Sequence, residues 1–141
     1  MWIETVAALP GKAVFQSPVS ESSLTRCAAA LGHPVPADLV ALLRESDGIE
    51  DEYGDGIVWS AEHIATENRN LREDADFATL YMPFEPLLFF ADAGNGDLFA
   101  LLSAIDRPDV FVWDHETDSR TWVAPNLATY LEWRQTGQIE V

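Results

Sequence analysis

The 141-residue sequence has one cysteine, Cys27, so it can form no internal disulfide and build no multi-cysteine zinc site. It is also short of positive charge. Eight Lys and Arg stand against 24 Asp and Glu, a formal net charge of −16. A field of that sign repels phosphate backbones and anionic lipid, which argues against nucleic acid or a membrane surface as a partner. Apolar runs such as Leu87-Leu88-Phe89-Phe90-Ala91 fall far below the ~18 residues a membrane span requires. The opening Met1-Trp2-Ile3-Glu4 has no basic segment and is interrupted by an acid, so no signal peptide is expected and a cytoplasmic location is. Nucleophile elbows of the GxSxG type, Walker loops, dinucleotide glycine loops and the helical HExxH pair are all missing.

What the sequence does have is apolar material. It is 48% hydrophobic with five Trp and seven Phe, and a chain of this length buries roughly two-thirds of its unfolded surface. One domain over residues 1–141 is expected. The charge is unevenly spread. Between Glu45 and Asp76 eleven acids face only Arg69 and Arg72, so nine of the sixteen net negative charges lie in that segment.

Periodicity separates two halves. Trp2 to Leu9 reads as a short helix ended by Pro10-Gly11. Ser20 is an N-cap for a second helix with Leu24, Cys27, Ala28 and Leu31 on one face and Gly32 as its stop. Ala37 to Ser46 forms a third, with Leu39, Leu42 and Leu43 inward and Asp47-Gly48 as terminator. An acidic loop follows from Glu50 to Gly56, then a short strand at Ile57-Val58-Trp59 and a helix from Ser60 to about Arg72. The second half reads as strands. Leu87 to Phe90 is apolar without alternation, as in a strand covered on both faces. Asn95-Gly96 before Leu98 to Leu102 is a hairpin signal, and Val110 to Trp113 and Thr121 to Val123 extend a meander. A helix from about Asn126 to Gln135 closes the pattern. The segregation predicts an α+β fold: an antiparallel-rich sheet of about five strands flanked by helices, with a helical N-terminal half and a strand-rich C-terminal half.

The order of these signals resembles a known family. Leu31-Gly32, a proline-marked turn into Pro36-Ala37-Asp38-Leu39, Ser46-Asp47-Gly48, then Gly94-Asn95-Gly96-Asp97 and Val110 to Trp113 running into Asp114-His115-Glu116 are similar to the SUKH superfamily. That group is built around the fungal Smi/Knr cell-wall regulators and many bacterial immunity proteins. The resemblance spans roughly Ser20 to Arg134, with Val35-Pro36 standing where members usually show Leu-Pro. It implies a sheet flanked by helices and a role in binding and neutralising toxins, often nucleases, or in an adaptor. No catalytic residue set comes with it.

The residues themselves offer several chemistries. Asp51, Asp55, Gly56 and Glu62 match positions 1, 5, 6 and 12 of a calcium loop, but Tyr53 at position 3 supplies a phenol where a carboxylate or amide is needed. A solvated acidic loop is the better reading. Asp92 and Asp97 flank the hairpin turn, and Asp114-His115 come near if the next strand pairs beside them, a polar cluster at one sheet end. His33, His63 and His115 lack zinc spacing and read as turn or surface residues. Asn68 falls on the apolar face of its helix and, buried, must tie it by hydrogen bonds to a loop or strand. Trp59, Trp113 and Trp122 read mainly as core.

The expectation is therefore a protein-binding module without catalytic residues, metal or cofactor, an immunity protein whose acidic face meets a basic toxin domain. Asp47, Glu50, Asp51, Glu52, Tyr53 and Asp55 form that face, with Tyr53 as aromatic anchor. The alternatives are an adaptor of the same fold without a toxin partner and a small metal-dependent hydrolase using Asp92, Asp97 and Asp114.

Overall fold

A computed structural model describes residues 1–103 and 105–139. The helices of the first half form where capping and apolar spacing coincide. Helix α1 (Trp2–Ala7) has no side-chain cap of its own. Instead the Glu45 carboxylate accepts the N–H groups of Trp2 and Ile3, at 3.0 and 3.1 Å, and those bonds hold its pKa below the usual glutamate value. Strand β1 (Val14–Phe15) follows. Helix α2 (Glu21–Leu31) is capped by the Ser20 hydroxyl, which accepts the N–H of Ser23, and ends at Gly32 in the left-handed region. Helix α3 (Ala37–Glu45) buries Leu39, Leu42 and Leu43.

Two short strands, β2 (Ile49–Glu50) and β3 (Gly56–Val58), then lead into α4 (Ala61–Glu73), capped by Ser60. Helix α5 (Ala75–Leu80), capped by Asp74, went unread in the sequence because only six residues separate that cap from Tyr81. Strands β4 (Leu87–Asp92), β5 (Leu98–Leu102), β6 (Val110–Trp113) and β7 (Arg120–Ala124) precede α6 (Leu127–Gln135), capped by Asn126.

The fold is α+β, as the segregation of patterns predicts. The strands, however, divide between two antiparallel sheets, β1-β2-β3 and β4-β5-β6-β7, where the sequence suggests one sheet of about five. Two-residue strands carry no period to read, and Ile49-Glu50 overlaps the start of the stretch taken for an acidic loop. The sheets are joined where the Trp59 N–H donates to the Phe90 carbonyl at 2.7 Å. The second sheet is the expected meander, with Leu88 opposite Leu101, Ala100 opposite Phe111 and Phe111 opposite Trp122.

Strand β4 is buried from Leu87 to Ala91, which explains its unalternating apolar run. Phe90 meets Tyr130 of α6, whose ring also meets Phe99. Phe89, the adjacent residue, meets Phe84 and Trp113 on the opposite face. A bulge interrupts the β4–β5 register between Phe89 and Ala91. There the buried Asn68 of α4 takes over the ladder. Its amide nitrogen donates to the Phe89 carbonyl at 2.8 Å and to Ile64 at 2.7 Å, and its oxygen accepts the Phe89 N–H at 2.8 Å. Arg72 adds a second tie, donating to the carbonyls of Leu31 at the end of α2 and Leu87 at the start of β4.

Of the tryptophans read as core, Trp59 and Trp113 are buried but Trp122 is 47% exposed. Strand β7 lies at the edge of its sheet, so its outward residues face solvent; Trp122 rests edge-on against Trp133 with its N–H held by Asp109.

Candidate functional site

The acidic segment turns out to be a hairpin between β2 and β3, with its carboxylates in two conditions. Two accept backbone N–H groups and a third packs against a glycine. Asp47 accepts the N–H of Ala61 at the start of α4, at 2.9 Å. Asp51 accepts the N–H groups of Tyr53 and Asp55. Asp55 lies against Gly94, where an added Cβ would sit 2.9 Å from its carboxylate. Glu50, Glu52 and Tyr53 instead face solvent, Tyr53 at 82% exposure. Glu52 beside the phenol raises its pKa, which keeps the hydroxyl neutral. The antiparallel pairing on both sides of the loop also removes the helix–loop–helix frame that a calcium loop needs.

Next to this hairpin is a groove of about 530 Å³. Its walls carry Asp47, Glu50, Glu62 and Asp92, and no Lys or Arg lines it. Gly48, Gly54 and Gly56 are also among its lining residues. Gly56 has to lack a side chain, because a Cβ there would stand 2.5 Å from the Trp59 ring and 3.0 Å from the Asp92 carboxylate. One wall is a stacked pair, Trp59 on His63, with ring centres 4.2 Å apart and planes within 4°. The Trp59 indole is locked by a 2.8 Å bond to Asp92, whose same oxygen accepts the Gly56 N–H.

Asp92 is thereby drawn away from the sheet-end cluster in which the sequence placed it. The Trp59 indole and the Gly56 amide need an acceptor, and Asp92 at the end of β4 supplies it. Asp97, Asp114 and His115 do come together, with ligand atoms within 4.8 Å of one another. Asp97 bonds His115 Nδ1 at 2.7 Å and raises the imidazole pKa, and Gly96 backs the ring so closely that a Cβ would meet it at 2.8 Å. Asp114 accepts the N–H of Glu116 at 2.8 Å. One nitrogen and two carboxylates suit a divalent cation by donor type, yet each already has a protein partner, and none of the four cavities described for the chain includes them. Asp92 is not part of this converging group; its carboxylate accepts from Trp59 and Gly56 instead.

Sequence reasoning missed the groove because its walls come from three separate segments. Trp59 and His63 were visible only as a strand residue and a surface histidine, and Glu62 only as the last position of the failed calcium loop. A signal was present: positions 59 and 63 straddle the Ser60 cap four residues apart, the spacing at which side chains meet on a helix.

The model of the SMI1 / KNR4 family (SUKH-1) matches residues 18–133. The chain belongs to this family. The matched span of the SUKH-1 domain takes in the acidic hairpin, the Asp97–His115 pair and all of the groove except Gln16 and Ser17. A comparison with curated proteins returns no match. No helix among the described residues is long and apolar enough to cross a membrane.

Proposed function

We propose that this SUKH-1 protein is a non-enzymatic protein-binding module, an immunity protein that neutralises a basic toxin domain in the cytoplasm, with a nuclease as the type of toxin that fits best. The observation that carries this is the concentration of carboxylates on the β2–β3 hairpin and around the adjacent groove, with no Lys or Arg lining that groove. A nuclease presents a cationic surface to its substrate. An acidic face speeds encounter with such a surface and competes for the place of the phosphate backbone. Glu50, Glu52 and Tyr53 are the contact residues proposed here, because their side chains are exposed. Asp47 and Asp51 hold the hairpin in shape while contributing their charge, and Asp55 adds its own.

The test is capture by the tagged full chain from its native host at low salt, with bound proteins identified by mass spectrometry. The expected catch is a stoichiometric basic protein that is released as salt is raised and whose toxicity is relieved by co-expression. Charge-neutral variants, Glu50→Gln with Glu52→Gln, should weaken that capture. Undiminished capture by the double variant would remove the hairpin from the interface, and recovery of signalling proteins alone would favour an adaptor role.

A further inference from the structure

We propose that the groove beside the hairpin is a receptor for one arginine side chain, presented by the protein partner. The partner rests on the protein-binding role above, whereas the groove's chemistry can be tested on the isolated chain.

Charge sets the sign of the ligand. Four carboxylates border the space with no Lys or Arg among them, so an anion or a phosphate ester is repelled and a cation attracted. Spacing sets its size. Among the described residues, the only three His, Cys, Asp or Glu side chains whose ligand atoms converge within 4.8 Å are Asp97, Asp114 and His115, none of them in the groove. The groove carboxylates are thus too dispersed to cage a metal ion at bonds of about 2–2.5 Å. They surround about 530 Å³ instead, within the ~300–1,000 Å³ range of organic ligand pockets.

Shape favours guanidinium over ammonium. The half-exposed His63 ring, backed by the buried Trp59 indole, gives the groove a planar wall, and a planar, weakly hydrated guanidinium stacks on such a face while its N–H fork meets carboxylates edge-on. An ammonium has no plane to stack and holds its water more strongly. The receptor is also built before the ligand arrives. Asp92 is fixed by the Trp59 indole and the Gly56 amide through one oxygen, leaving the other to accept. Asp47 is fixed in the same way by Ala61. The side chains of Glu50 and Glu62 are exposed at the edge of the groove and can close on a bound cation. Groups held in place beforehand lose little entropy on binding.

The experiment titrates the isotope-labelled full chain with N-acetyl-arginine amide, following the indole N–H resonance of Trp59. N-acetyl-citrulline amide serves as the uncharged isostere and N-acetyl-lysine amide as the other cation. A saturable shift with arginine, about tenfold weaker binding of lysine and no saturable shift with citrulline are expected. Glu50→Gln and Glu62→Gln, which alter exposed side chains, should each weaken arginine by about fivefold while leaving the remaining spectrum in place. Equal binding of citrulline or lysine, or unchanged affinity in both variants, would overturn the proposal. Loss of the arginine effect alongside intact salt-sensitive capture of a basic protein would overturn the arginine slot and leave the protein-binding role standing. Saturable arginine binding with no basic protein captured would overturn that role and leave the slot.

Discussion

Asn68 offers the sharpest test of how the two halves are joined. Replacing it with Ala removes an amide whose three hydrogen bonds serve two residues. The Ile64 carbonyl lies one helical turn back within α4 and keeps its helical partner. Phe89 does not recover, because its N–H and carbonyl both point at the lost side chain inside a buried strand. Each buried backbone group left unpaired costs about 1–3 kcal/mol, so the pair costs about 2–6 kcal/mol, with a central value near 4. Against a total stability of about 5–15 kcal/mol, that removes a large fraction. Urea unfolding followed by tryptophan fluorescence should show a lower midpoint, and the Phe89 amide should exchange with solvent earlier in the variant. A loss below about 1 kcal/mol would refute the claim that Asn68 completes the β4 ladder. Asn68→Asp separates hydrogen bonding from size. The introduced carboxyl faces the carbonyls of Ile64 and Phe89 and needs a proton to donate, so its pKa rises on folding. The folded state then binds more protons than the unfolded one, and this variant should regain stability as pH falls.

Three further outcomes follow from local geometry. Gly48→Ala should destabilise by about 2 kcal/mol in thermal or urea unfolding, since Gly48 has φ +98° and the added Cβ would lie 2.9 Å from the Ser60 nitrogen; an unchanged midpoint would contradict this. His115 should titrate above its ordinary value by proton NMR and return toward it in Asp97→Asn. Because its folded pKa is raised, its stabilising contribution is fully present below the unfolded pKa and lost as pH rises through the folded one, so the two proteins should converge in stability on the alkaline side. Cys27 is fully buried and its thiol is pushed up to about 11, first by burial and then by Asp47, so a chromogenic disulfide reagent at neutral pH should label it only after denaturation.

Much of this architecture was legible from local chemistry. Ser20 and Ser60 cap helices because a short polar side chain before an apolar stripe satisfies an orphan N–H whatever the rest of the chain does. Asn68 could be read as a buried tie because a polar residue on an apolar helical face must find partners. The unbroken apolar run of β4 required cover on both faces, and it has it. Strands β1 and β2 were not legible, because two residues define no period and their existence depends on pairing with one another and with β3. Trp122 was misread because strand propensity does not say which strand ends at the edge of a sheet.

The candidate site divides along the same line. The sequence by itself determined that the surface would be strongly acidic, that the acids would crowd between Glu45 and Asp76, and that the order of turns and strands would be that of a SUKH domain. Each of these is a property of neighbours along the chain. Only the tertiary structure decided which carboxylates would share a space. Asp92 lies 33 positions from Trp59 and 36 from Gly56, yet it bonds both because the β3–β4 junction brings them together. Asp97, 18 positions from His115, pairs with that ring across the neighbouring strands. Long-range hydrogen-bond demand made the assignment: a buried indole N–H and a glycine amide had to be satisfied, and the fold put one carboxylate within reach of both.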